Sequence, residues 1–326
     1  MSKVQESLSK FTQSTMQGII KQTKATPSYL LDSLFKEQRG SIPKTIEVVI
    51  KKKDSFILNA LSDEAQRQVV ERDKEYILSL TLPRFAMRNT ITPDEINNLK
   101  SFENTEGLTQ ALAQRIGEIL SDCKNSYQTT LEYMAVGAIF GRIFDGEGKE
   151  LFKLESTTSA LSLESGKTLF ESINALDDKF ADVFGYVPNY KVLVSREFYD
   201  ALHKKAKDEG LFQDTNPNAR IENGVITLYG KTFQPYVAKY KNDKGKVLDF
   251  LSGKKGIAIP LDVPNVFKLF YARANHTQAL NKAPELFFAA APEELSGGQG
   301  YAIDTEMRAM PVCVQPDALI QVDFKN

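Results

Sequence analysis

Cysteine and histidine are almost missing from this sequence: two of each in 326 residues, and 41 basic against 42 acidic side chains leave a formal charge of -1. Each scarcity excludes something. Cys123 and Cys313 sit singly among apolar neighbours, so they supply neither a disulfide framework nor a metal-ligand spacing, and they read as buried thiols of a protein made in a reducing cytoplasm. His203 lies in the lysine-rich run HKKAK and His276 in the tripeptide NHT; neither belongs to a metal-ligand pattern. The balanced charge argues against a nucleic-acid-binding module, which needs a basic face. No run reaches the ~18 apolar residues of a membrane span, and the opening MSKVQESLSKFTQS has no signal-peptide core, so a soluble intracellular product with no membrane partner is expected.

Motifs that carry chemistry are also lacking. Gly166-Lys167-Thr168 has the ending of a phosphate-binding loop, but Leu161 stands where the leading glycine is required. Gly297-Gly298-Gln299-Gly300 does not fit a dinucleotide fingerprint, and no Gly-x-Ser-x-Gly elbow occurs. Carboxylate pairs such as Asp177–Asp178 and Glu293–Glu294 are too common to mark an acid and a base. No catalytic, cofactor or metal residue is expected. A cytoplasmic hydrolase of mixed α/β type stays open as a rival reading.

What is present is one long amphipathic stretch. Over residues 105–143 the apolar positions Leu108, Leu112, Ile116, Leu120, Cys123, Tyr127, Leu131, Met134 and Ala138 recur at steps of three or four, with Gln110, Gln114, Glu118, Ser121, Asn125, Gln128 and Glu132 opposite. That spacing predicts a continuous helix with one buried stripe, on the order of 60 Å long. Before it, residues 1–28 are polar and weakly patterned, either a frayed terminus or an arm that orders against a neighbouring subunit. TIEVVI (45–50) and YILSLTL (76–82) read as strands. Between them lies a charged excursion, 51–75, with Lys51, Lys52, Lys53, Arg67, Arg72 and Lys74 balanced by Asp54, Asp63, Glu64, Glu71, Asp73 and Glu75. The plainer reading of that excursion is a long solvated loop, and the sharper one an extended two-strand arm meeting complementary charges on another copy. Lys51, Lys52, Lys53, Glu64, Arg67, Glu71 and Arg72 are its candidate contact residues.

Thr92-Pro93-Asp94 signals a helix start, and Gly146 and Gly148 a hairpin turn after the long helix. A second helix is expected over 166–183, then a strand and helix through YKVLVSREFYDALHKKAKDEG, with Gly210 as cap. Glycine-punctuated strands over 221–260 suggest an α+β subdomain at about 188–280. The strand-rich end, GYAIDTEMRAMPVCVQPDALIQVDF, is expected to pack on the long helix.

At 260–275 the run PLDVPNVFKLFYARAN resembles the signature of the major capsid protein E family of lambda-like tailed phages, through Pro260, Leu261, Pro264, Phe267, Tyr271, Ala272 and Ala274. Other features follow in the family's order: LPRFAMRNTITPDEI, the long helix and its glycine hairpin, KVLVSREFYDALHKK, GVITLYGKTFQPY, and a closing pattern on Pro311, Pro316, Val322 and Phe324. The resemblance covers roughly residues 28–326. It implies the Hong Kong 97 capsid fold, an α+β architecture. Its parts would be an N-terminal arm (1–44), an extended loop (45–90), a peripheral domain (91–187) holding a spine helix over 105–143, an axial domain (188–280) and a C-terminal return to the peripheral domain (281–326).

It implies a structural, non-enzymatic product that self-assembles into the hexamers and pentamers of an icosahedral shell. That shell would enclose double-stranded DNA without sequence recognition, in a virion made in the host cytoplasm, with room for scaffold, portal and decoration partners. Some relatives cross-link a lysine to an asparagine, for which Lys51, Lys52 and Lys53 are the local candidates. An encapsulin-like compartment shell, sharing the fold but loading an enzyme cargo, is the nearest alternative.

Overall fold

The long apolar stripe does form a single helix, Thr105–Ile139, 35 residues and roughly 50 Å in length. All nine stripe positions are buried, from Leu108 at 1 % exposure to Ala138 at 3 %. The helix stops at Ile139 rather than Ile143, because Gly141 turns to a left-handed φ of 74° and the chain enters the strand Arg142–Phe144. The return is tight: a Cβ on Gly137 would lie 2.5 Å from the Arg142 carbonyl oxygen.

The computed structural model describes residues 3–24, 28–51, 75–99, 105–153, 160–163, 166–213, 217–237, 239–241, 244–249, 251 and 253–324. Two units emerge, each assembled from separated stretches: Met1–Ile46, Ser79–Ala135 and Lys268–Val312 form the first, and Glu47–Leu78, Val136–Phe267 and Cys313–Asn326 the second.

The first unit is built on a six-stranded sheet. Glu37–Ser41 runs parallel to Phe267–Ala272, which lies beside the 13-residue strand Tyr301–Cys313; Arg84–Ile91, Phe288–Ala289 and Glu293–Glu294 pair antiparallel with that long strand. One face of the sheet packs on the helix: Tyr127 Oη lies 3.0 Å from Thr305 Oγ1, and Asn89 Nδ2 donates to Cys123 Sγ at 3.1 Å. Residues 3–24 are not frayed. They fold as helices Lys3–Ser9 and Gln13–Gln22, burying Leu8, Phe11, Met16 and Ile20. The Gln17 amide completes the edge of the Phe288–Ala289 strand, donating to the Phe287 carbonyl at 2.7 Å and accepting from the Ala289 N–H at 3.3 Å. Lys124 Nζ closes the helix end on the Ile20 and Thr23 carbonyls at 2.8 and 2.6 Å.

One residue of the polar stripe is misread by periodicity. Glu132 is only 5 % exposed, and its carboxylate accepts the N–H groups of Leu30 and Leu31 at 2.8 and 2.9 Å. It thereby satisfies two orphan donors at the start of the helix Tyr29–Leu34.

The second unit carries a seven-stranded sheet in the order 160–163, 320–324, 255–260, 190–194, 231–235, 225–228, 219–222. Helices Leu169–Phe184 and Arg196–Asp208 bury Leu169, Ile173, Phe180, Phe198 and Leu202 against Val192, Val194, Phe233 and Phe324. Thr168, which the phosphate-loop motif would have used, is instead the N-cap of the first of these helices, in a reciprocal capping box with Glu171. Asn223 and Gly224 take φ of 50° and 75°, the geometry of a two-residue hairpin turn between Ala219–Glu222 and Val225–Leu228.

Three expectations on where segments belong are corrected by this topology. Residues 84–91, expected within the extended loop, form a strand of the six-stranded sheet. The strand 267–272, expected within the axial region, joins that same sheet. The C-terminal stretch divides: 301–312 packs on the long helix through Thr305, while Ile320–Phe324 inserts between Ala160–Leu163 and Lys255–Pro260 in the seven-stranded sheet.

Candidate functional site

The face of the six-stranded sheet turned away from the helix carries Asp304, Glu306 and Arg308 at alternate positions of the long strand, with Arg84 and Arg88 on its neighbour. Arg88 stands opposite Asp304 and Arg84 opposite Arg308 in the antiparallel register, with Glu306 between. Arg88 grips Asp304 with two parallel bonds, Nε to Oδ1 at 2.7 Å and Nη2 to Oδ2 at 2.6 Å. That pairing holds the Asp304 carboxyl below the usual carboxylate range. Glu306, 3 % exposed, accepts from Arg84 Nε at 2.8 Å, Arg308 Nε at 3.2 Å and the Asn275 N–H at 2.6 Å. A buried carboxylate with this many charge-assisted donors is a structural clamp. Both of its oxygens are engaged by donors of this chain.

At the helix start, Glu95 accepts the Thr92 N–H at 2.9 Å and Arg115 Nη2 at 2.7 Å, and both hold its carboxyl below the usual range. Burial pushes the Cys313 thiol up to about 12 and also raises Cys123, the opposite of an activated nucleophile. Among the described residues no group of three or more His, Cys, Asp or Glu could hold a metal ion, and no helix is long and apolar enough to cross a membrane.

The signature run takes positions that join strands. Pro260 ends the strand Lys255–Pro260 opposite Tyr190, and the Leu261 N–H donates to the Asn189 carbonyl at 2.7 Å. Pro264 is exposed in the turn that follows, where Asn265 adopts φ 62°. Phe267 then opens the next strand, with Ala272 buried at 1 %. The Tyr271 ring lies so close over Gly40 that a Cβ there would sit 2.9 Å from it. Of the charged candidates, Lys51 ends the strand Thr45–Lys51, which pairs with Glu75–Thr81. Lys52, Lys53, Glu64, Arg67, Glu71 and Arg72 lie outside the described residues.

The Arg84–Glu306–Arg308 and Arg88–Asp304 set escaped the sequence reading, although a period-two signal was there: Arg84-x-Ala86-x-Arg88 and Asp304-x-Glu306-x-Arg308 place all charges on one strand face.

The sequence profile of phage major capsid protein E matches residues 12–324. No curated protein matches the chain significantly. Among solved structures, the chain is similar to a protein assigned as the capsid protein of a prophage of E. coli CFT073, with a TM-score of 0.64, 14 % identity and coverage of 96 % of this chain and 99 % of that one. It is similar to the capsid of the cyanophage P-SCSP1u (TM-score 0.50, 10 % identity, 93 % and 90 % covered). The mature capsid of bacteriophage PhiM1 gives the same TM-score and identity, with 93 % and 89 % covered. These likenesses establish the Hong Kong 97-like capsid fold, and the profile match over nearly the whole chain establishes the kinship. The chain belongs to the phage major capsid protein E family, the structural protein of the phage head.

Proposed function

We propose that this chain is the shell subunit of a tailed phage head, closing with copies of itself into pentamers and hexamers around double-stranded DNA held without sequence recognition. Synthesis in the host cytoplasm, with scaffold, portal and decoration proteins as partners, belongs to the same reading. The observation that supports it best is the family match spanning 12–324, on a fold in which Glu132 and Glu306, the buried carboxylates among the described residues, are spent on holding sheet and helix together. A non-enzymatic role belongs to the same reading. Subunits of a closed shell need broad contacts between repeated surfaces rather than a cleft.

In this reading residues 1–44 are the arm, the extended loop runs from 45 to the start of the sheet strand Arg84–Ile91, the peripheral domain takes that strand, the long helix and the strands Phe267–Ala272 and Tyr301–Cys313, and the axial domain lies within 188–266. The mixed charges of the excursion (Lys51, Lys52, Lys53, Glu64, Arg67, Glu71, Arg72) meet their complements on a neighbour. Deleting 51–75 tests this: the variant should give folded monomers or capsomers that do not close. Normal-sized shells seen by electron microscopy would remove the loop from the assembly contacts.

A further inference from the structure

The six-stranded unit holds a basic cleft whose Lys44 and Arg273 the ion-pair clamp does not use. Ile42, Lys44, Arg273, His276, Leu280 and Arg308 line a cavity of about 330 Å³ where the chain leaves the edge strand Glu37–Ser41. Its floor is fixed, because the Arg273 N–H donates to the Ser41 carbonyl at 3.0 Å. We propose that this cleft is a contact site for a second copy of the chain, seating a carboxylate-bearing segment flanked by apolar side chains; the proposal rests on the shell-subunit reading.

Charge supplies the first argument. Neither Lys44 nor Arg273 has a carboxylate partner among the described residues, and the acids close by are already taken. Glu306 is held by Arg84, Arg308 and the Asn275 N–H, and Asp304 by both arms of the Arg88 fork. Among the described residues this positive charge stands unanswered, and it selects an anion.

The rim supplies the second. Ile42 and Leu280 are 61 % and 60 % exposed, large apolar side chains beside the cations. A phosphodiester backbone would satisfy the cations and gain nothing from isoleucine and leucine. A peptide with an acid next to an apolar residue satisfies both.

The source of that peptide follows from the totals. With 41 basic and 42 acidic residues, a local basic surplus is matched by acidic surplus elsewhere on the same chain. Asp178 and Asp182, exposed four residues apart on the helix Leu169–Phe184, are one such surface. A contact between two different patches of identical chains is heterologous, the kind that closes rings.

The test compares full-length wild type with the double reversal Lys44→Glu/Arg273→Glu, the apolar pair Ile42→Ser/Leu280→Ser, and the charge-conserving Lys44→Arg/Arg273→Lys. Sedimentation velocity and negative-stain microscopy measure assembly, and circular dichroism melting measures folding. Both disruptive pairs should melt like wild type yet lose about tenfold or more of the assembled fraction, while the conserving pair assembles normally. If the reversal lowers the Tm, the neutral Lys44→Gln/Arg273→Gln pair takes its place. Wild-type shells alongside unaffected variants would overturn the cleft assignment. So would variant shells that form normally and lose only co-purifying DNA, which would give the cleft to phosphate. A wild-type chain that never assembles would instead overturn the shell reading itself.

Discussion

The two units hold themselves together by different means. Among the described residues, the first buries Ser7, Gln17, Ser28, Glu132, Thr305 and Glu306, while the second buries only Ser172 and Ser195 among polar side chains. In the first unit, stretches far apart in sequence are pinned by directional bonds: Glu132 to residues 30 and 31, Gln17 to 287 and 289, and Glu306 to Arg84. The second relies on an apolar cluster of the Phe180 and Phe198 kind, between helices and a sheet. Hydrophobic burial is non-directional and tolerates repacking, whereas a buried carboxylate admits one arrangement of its donors. Where elements far apart in sequence are joined through polar groups, as in the first unit, wrong arrangements are refused. The buried polar groups select the correct one.

The largest effect that could break this contrast is Phe198→Ala. Phe198 is fully buried, edge-on to Phe324 at 5.6 Å between ring centroids, so truncation should cost about 3–5 kcal/mol in urea unfolding. A loss below 1 kcal/mol would show that the apolar cluster does not carry the second unit.

Next comes Glu132→Ala, which strands two buried N–H groups and should cost about 2–3 kcal/mol. Glu132→Gln, keeping one acceptor oxygen, should recover part of that. If Glu132→Leu proved as stable as wild type, directional pinning of the first unit would be refuted.

Thr168→Ala removes the Oγ1 that accepts the Glu171 N–H at 3.2 Å. It should lower stability by about 1 kcal/mol, a local loss visible in amide exchange over the first turn of Leu169–Phe184.

The smallest effect is acid softening of the first unit. Hydrogen bonds from Lys268 and Arg39 hold Glu37 below its ordinary 4.5 despite some desolvation. The Thr92 N–H and Arg115 do the same for Glu95, also from 4.5, and Arg88 holds Asp304 below 3.8. Because these folded-state values are depressed, the stabilisation is complete above the ordinary values and drains away as pH falls through the folded ones. The Tm should therefore start to drop below about pH 4.5, with proteolysis at low pH cutting the first unit before the second.

Legibility in the sequence follows apolar periodicity and helix caps rather than the division into units. The helix 105–139 was readable because nine apolar positions share one face. Thr92 was readable as a cap because proline and acid follow it, and the helix Leu169–Phe184 because its stripe is apolar. The strand Arg84–Ile91 was not: its alternating partners are arginines whose counter-charges lie more than 200 residues away. Glu132 looked solvent-facing because periodicity assigns faces by residue type, and only the fold brings Leu30 and Leu31 to it. The crossing of Ile320–Phe324 into the seven-stranded sheet is a long-range pairing that no local pattern encodes. The basic cleft likewise depends on residues 42, 44, 273 and 308 meeting in space.

Cryo-electron microscopy of the purified full-length protein bears most directly on self-assembly as the work of this chain. Closed icosahedral shells are expected, in which this subunit builds both five-fold and six-fold clusters. A population of monomers or small discrete oligomers, unchanged across protein concentration and salt, would contradict this reading.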